Sequence, residues 1–139
     1  MNRVERPDWD TFYLTLANAT ALRGDCTRSQ VGAVLVRQDH TVASIGYNGV
    51  APGENGCLAG ACPRGRLSYH EFPAGLPYDS GPGFCIARHA EWNALANMRP
   101  GDTARSCYVT KRPCANCQSA LIAHGLQRII WPDGQWSRS

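Results

Sequence analysis

The chain has 139 residues, of which 43% are hydrophobic and 18% charged, and carries a net charge of +3. That is the size and balance of one globular domain spanning residues 1–139, with enough apolar surface for a core. The charge excess is too small to imply a stable nucleic-acid partner, no apolar run is long enough to span a membrane, and Met1 to Asp10 lacks the apolar segment of a signal peptide. Seven cysteines in such a chain point to metal ligation or free thiols in a reducing, cytoplasmic setting rather than to disulfides.

Pro7-Asp8-Trp9 reads as a helix start with Asp8 as N-cap. Trp9, Phe12, Tyr13, Leu16, Ala17 and Thr20 recur at helical spacing as a core-facing stripe, and Gly24 ends the run. Cys26 to Gln30 is a short polar link. Val31 to Val36 is an apolar, β-rich run that suits a buried strand. Arg37 to His40 turns the chain, and Thr41 to Tyr47 returns as the second strand of a hairpin. Gly46-Tyr47-Asn48-Gly49 follows. Asn48 is equally well read as a turn residue tolerant of positive φ or as a donor and acceptor offered to a ligand at the sheet edge.

Val50 to Phe84 is rich in Gly and Pro and has no periodicity. So long a loop in a small domain is usually functional or held by something else. The cysteines suggest what holds this insert of about residues 50–85. Cys57, Cys62 and Cys85, with Cys26 from across the fold, would make a closed four-thiolate zinc site, with His70 as an alternative fourth ligand. The plainer alternative is a set of free, buried thiols.

His89 to Met98 is a short helix stopped by Pro100-Gly101, Ser106 to Thr110 a third strand, and Cys114 to His124 a helix closed by Gly125. Leu126 to Trp131 is a fourth strand, and the rest is a polar tail. Cys107 reads as a small core residue. Two strand–helix–strand units imply a layered sheet with helices on both faces. His89, Cys114 and Cys117 then lie at two adjacent helix N-termini, where thiol pKa values are lowered.

One His and two Cys suit zinc and leave a fourth tetrahedral position for water. Glu91, two residues after the His, is the proton carrier such a site needs, whereas a structural zinc knuckle leaves that carboxylate unexplained. The arrangement H-x-E…P-C-x-x-C is the signature of zinc nucleobase deaminases. The backbone of Ala90 and the segment Thr110 to Arg112 flank the metal ligands and line the expected pocket. Arg28 and Arg112 are candidates for a 5′-phosphate, because a planar guanidinium donates two bonds at once; as solvated surface residues they would do neither.

These motifs resemble the cytidine deaminase fold and, within it, the deoxycytidylate deaminase family. The resemblance also rests on Arg6-Pro7-Asp8-Trp9, Ser29-Gln30-Val31-Gly32-Ala33, Gly46-Tyr47-Asn48-Gly49 and Tyr108-Val109-Thr110, so it spans nearly the whole chain. It implies a three-layer α/β/α fold with a central mixed sheet and one catalytic zinc. It also implies a homo-oligomer and hydrolytic deamination of a cytosine nucleotide, dCMP to dUMP with release of ammonia. It places Asn48 on the substrate sugar and favours a second, structural zinc in the insert. Three features depart from the family pattern: Trp92 after Glu91, Lys111-Arg112 before the Pro-Cys, and a chain expected to stop soon after its fourth strand. The alternatives are another amino-heterocycle (a modified cytosine nucleotide, a nucleoside or a free base) and a non-catalytic zinc module, which would have no need of Glu91. Direct action on DNA or RNA would want a basic, aromatic-lined groove.

Overall fold

Helix α1, Trp9–Ala21, begins where expected because the Asp8 side chain accepts a 2.8 Å hydrogen bond from the Thr11 amide. In this computed structural model, which describes residues 4–26, 29–50, 56, 58 and 88–138, the other elements follow the chain order read from sequence. They are β1 (Gly32–Val36), β2 (Val42–Tyr47), α2 (Ala90–Ala96), β3 (Ser106–Val109), α3 (Ala115–Ala123), β4 (Arg128–Trp131) and β5 (Gly134–Ser137). The strands form one mixed sheet in the order β2-β1-β3-β4-β5. Strand β1 pairs antiparallel with both β2 and β3, while β3 and β4 are parallel.

The fifth strand corrects the expectation that only a polar tail follows the fourth strand. Pro132-Asp133 turns the chain, and Gly134 to Ser137 pairs antiparallel with β4. Sequence periodicity misses it because the strand is four residues long and only Trp136 in it is apolar; that indole packs against the core.

Alternation along the strands makes the three layers. Ala33, Leu35, Cys107, Val109 and Ile129 pack on one face with Ala90, Ala94 and Leu121 from α2 and α3. Val34, Val36, Tyr108 and Ile130 pack on the other with Tyr13 and Ala17 of α1. The core stripe of α1 is narrower than its apolar sequence suggests, since Trp9 and Phe12 remain exposed. Trp9 instead stacks on the ring of His40, 4.2 Å away at 12°. His40 occupies the β1–β2 turn with φ 71°, and its carbonyl accepts from the Tyr13 hydroxyl at 2.5 Å. Those contacts hold a left-handed conformation that a β-carbon disfavours.

Two glycines set how closely the helices approach. A β-carbon at Gly32 would meet the Ala17 carbonyl oxygen and, at 2.5 Å, the Ala21 nitrogen of α1. One at Gly46 would meet the Ala94 nitrogen and, at 2.5 Å, the Ala90 carbonyl oxygen of α2. Around Gly46 the β2–α2 contact is also polar: Ser44 Oγ donates to the Ala94 carbonyl at 2.6 Å and Asn97 Nδ2 to the Ile45 carbonyl at 2.9 Å.

Gly46→Ala therefore forces backbone apart from backbone and is expected to cost about 1–3 kcal/mol. Denaturant unfolding of the zinc-loaded protein measures this, and an unchanged midpoint would mean that α2 does not rest on β2 at this position.

Candidate active site

Strands β2 and β3 both flank β1 antiparallel to it, so they run in the same direction and end at the same edge of the sheet. Helices α2 and α3 start at that edge. His89 is the N-cap of α2 and Cys114 the N-cap of α3, each with extended backbone, so both side chains project ahead of their helices. Cys117 lies one turn further into α3, and its amide donates to Cys114 Sγ at 3.4 Å. His89 Nδ1 stands 3.0 Å from Cys117 Sγ and 3.6 Å from Cys114 Sγ. The three ligand atoms all lie within 4.8 Å of one another. Donors of a tetrahedral zinc stand about 3.5–3.8 Å apart, so the His89–Cys114 separation has the zinc spacing, the His89–Cys117 pair stands closer than it, and the donor types are those zinc takes.

The electrostatics give a second reason to expect a cation. Glu91, in the first turn of α2, is only 4% exposed. Burial raises its carboxyl above the ordinary value, opposed by its own amide, His89 and Cys117. Burial also pushes the Cys117 thiol up strongly, with Glu91 and Cys114 adding to the effect. The sequence pattern alone suggested the reverse for this thiol, from its place near a helix N-terminus. At Cys117 desolvation and two acidic neighbours outweigh the helix end. A buried thiol and a buried carboxyl thus both resist ionisation at one point, and a divalent cation relieves this by taking the thiolate as a ligand.

The neighbouring residues frame this point. Ala90 is buried directly after His89. Thr110 follows β3; its amide donates to the Gly32 carbonyl at 3.0 Å, and its Oγ1 accepts from the Gly32 amide at 3.2 Å. Lys111 Nζ donates to Ser29 Oγ at 2.5 Å, whereas Arg112 is exposed with its guanidinium over the Trp131 ring, 5.8 Å from the centroid. Asn48 is buried; its Oδ1 accepts from the Val31 amide at 2.9 Å and its Nδ2 donates to the Ser29 carbonyl at 2.7 Å. Cys107 is a fully buried core residue, and burial raises its thiol pKa well above normal. On the outer side of α2 a cavity of about 480 Å³ opens beside His89, lined by Arg88, Trp92, Leu95, Ala96 and His124.

His89, Glu91, Cys114 and Cys117 are therefore brought together. Of the second ligand set, Cys26 is buried, while Cys57, Cys62, Cys85 and the reserve ligand His70 lie outside the described residues, as does Arg28. Two contributors escaped the sequence reading. Asp25 accepts a 2.7 Å bond from the Leu58 amide of the insert, and Asn93 Nδ2 donates to the Tyr47 carbonyl at 2.7 Å. Asn93 had one faint signal: it is a weak helix former placed four residues after the metal-binding His89.

A mixed sheet that aims His, Cys and Cys at one point beside a buried carboxyl defines a zinc hydrolase of the cytidine deaminase-like fold. Residues 7–132 match the cytidine and deoxycytidylate deaminase zinc-binding region, and the chain belongs to that family. A deoxycytidylate deaminase of Mycobacterium phage D29 is 44% identical over 130 residues, covering 93% of this chain and 98% of that one. A longer deoxycytidylate deaminase of Schizosaccharomyces pombe is 33% identical over 91% of this chain but only 37% of its own length. A dCMP deaminase from cyanophage S-TIM5, solved in complex with dCMP and dUMP, superposes with a TM-score of 0.66 at 20% identity, over 92% of this chain and 83% of that one.

Adding zinc to chelator-stripped protein near neutral pH should release about one proton for each thiol that enters as thiolate. Calorimetry in two buffers of different ionisation enthalpy counts these protons, and Cys117→Ser should lower the count. Zinc uptake without proton release would show that the thiols are not the ligands.

Proposed function

We propose that this chain is a single-domain, zinc-dependent deaminase that hydrolyses dCMP to dUMP and ammonia, working in the cytoplasm as a homo-oligomer. The observation that carries the reading is the buried Glu91 carboxyl beside the His89, Cys114 and Cys117 donors. The 44% identity to a phage deoxycytidylate deaminase, over nearly the full length of both chains, supports the choice of substrate. Among the described residues no helix is long and apolar enough to cross a membrane.

His89, Cys114 and Cys117 would hold the zinc, which would supply the Lewis acidity that makes water nucleophilic near neutral pH. Glu91 accepts one proton of the attacking water and passes it to the ring nitrogen N3, then takes the second from the new C4 hydroxyl and delivers it to the amine as that C–N bond breaks. Water's oxygen becomes the 4-oxo group and the amine leaves as ammonia. The burial of Glu91 suits both duties, because a carboxyl of raised pKa gives its proton back more nearly as readily as it takes it. The Ala90 backbone and Thr110 line the base pocket. Asn48 bonds the sugar with the donor hydrogen and lone pair left over from its two bonds to residues 29 and 31. Arg28 and Arg112 receive the 5′-phosphate.

Cys26, Cys57, Cys62 and Cys85, with His70 in reserve, hold a second, structural zinc in this reading. Its support is the Asp25–Leu58 bond, which ties the insert to the residue preceding Cys26.

Glu91→Ala should keep zinc and fold while losing on the order of 10³-fold in turnover. Ammonia release from dCMP measures it, and activity within about tenfold of wild type would remove Glu91 from the chemistry. The native protein should also turn over dCMP far better than deoxycytidine, and Arg112→Ala should narrow that gap by raising KM for the nucleotide alone. Equal kcat/KM values for the two substrates would refute nucleotide specificity. Metal analysis should find two zinc per chain, falling to one in Cys57→Ser; one zinc in the native protein would rule out the structural site.

A further inference from the structure

Residues 47 to 49 form the end of β2 and the turn that presents Asn48, and 39 positions after Gly49 Arg88 leads into His89. These two stretches are joined in the structure by a short antiparallel bridge, in which Gly49 and Arg88 exchange both backbone hydrogen bonds at 3.0 Å. Asn93 closes this junction from the side. Its Nδ2 lies 2.7 Å from the Tyr47 carbonyl, 3.2 Å from the Gly49 carbonyl and 3.5 Å from the Arg88 carbonyl. Its own amide donates to the His89 carbonyl at 3.1 Å. One side-chain amino group therefore gathers carbonyls on both sides of Asn48 and the carbonyl just before His89.

The amide can take only this orientation. Turned over, it would set Oδ1 against three carbonyl oxygens with no hydrogen between them. In the observed orientation Oδ1 is buried without a partner among the described residues, so the side chain is held by its donor end alone. A buried acceptor left unpaired is unfavourable, and a residue placed only to finish the helix would not retain it. The carbonyls it gathers also bear on Asn48. With Tyr47 and Gly49 fixed, the intervening side chain points inward to the Ser29 carbonyl and the Val31 amide, and its backbone carbonyl accepts from Asp25 at 2.8 Å.

We infer that Asn93 is a positioning residue that sets Asn48 at a fixed distance from the His89–Glu91 segment, and so aligns the substrate's sugar with the reacting ring. The inference rests on the reading of Asn48 as the sugar contact. Without the Asn93 donor, the Gly49–Arg88 bridge is the hydrogen-bonded link left between residues 47–49 and Arg88 among the described residues, and two hydrogen bonds in line allow a local hinge that a third, lateral contact prevents. A misaligned sugar weakens nucleotide binding and leaves the metal donors in place, because His89, Cys114 and Cys117 are held by their own helix starts.

A double-mutant cycle tests this. Asn48→Ala, Asn93→Ala and the double variant are assayed for zinc content and for KM and kcat on dCMP. Each single variant should keep its zinc and raise KM about tenfold or more, and the double variant should be no worse than Asn48→Ala, since Asn93 acts through that residue. Additive penalties, loss of catalytic zinc in Asn93→Ala, or an unchanged KM there would overturn the inference while the Asn48 penalty leaves the sugar contact standing. An unchanged KM in Asn48→Ala would overturn the sugar contact and this inference together. If Asn93→Ala does not fold, Asn93→Leu, which keeps the side chain's size and has no donor, carries the same cycle with the same outcomes.

Discussion

A thiol and a carboxyl crowded into a buried place, Cys117 and Glu91, must either stay protonated or have a cation beside them. The Cys114 and Cys117 sulfurs stand at the start of α3, and Glu91 lies within reach of them from α2 with almost no access to water. Desolvation holds Glu91 and Cys117 toward their neutral forms, and the charge of Glu91 adds to the effect on Cys117. That is a poor arrangement for a structural core and a good one for a metal site, since the ligand set and its counter-charge are assembled before the metal arrives. The same burial that penalises the apo site keeps Glu91 from becoming a plain solvated carboxylate, and a proton carrier needs just that intermediate character.

The rest of the molecule maintains this crowding. Two helices must begin within a few ångströms of each other although 25 residues separate His89 from Cys114. The sheet does this by running β2 and β3 in the same direction on either side of β1, so the chain leaves both strands at one edge. The approach is then set by backbone contact. Gly46 removes the one atom that would lift α2 off β2, and Ser44 and Asn97 fasten the helix to that strand by hydrogen bonds. On the opposite face Gly32 does the same for α1. These are short-range, directional constraints, and they act on the helix that carries His89 and Glu91.

Much of this was legible in the residues. The helix of α1 with its Asp8 cap, the β1–β2 hairpin, the two short helices with their metal ligands and the β3 and β4 strands all appear in the order the apolar spacing predicts. Local patterns carry such information because capping, turn chemistry and side-chain alternation act over a few residues. The illegible parts lack a local signal. Strand β5 is four residues with a single apolar side chain, and it exists because β4 offers an edge to pair with. The direction of the Cys117 pKa shift depends on how deeply α3 is covered and on Glu91 from another helix, neither of which has a sequence spacing.

The sequence by itself determined the donor set: His89 with Glu91 two residues later and Cys114 with Cys117 three apart, because metal chemistry and helix geometry restrict which residue types and intervals work. It also determined the layered α/β/α architecture, through periodicity. Tertiary structure alone decided the use made of the polar residues between these motifs. Asn48 turned out to bridge residues 29 and 31 from inside the fold, Asn93 to gather carbonyls from two stretches far apart in the chain, and Asp25 to hold the insert. An Asn or Asp has the same local propensity whether its partner is water or a distant carbonyl, so only the three-dimensional placement of that partner distinguishes the two.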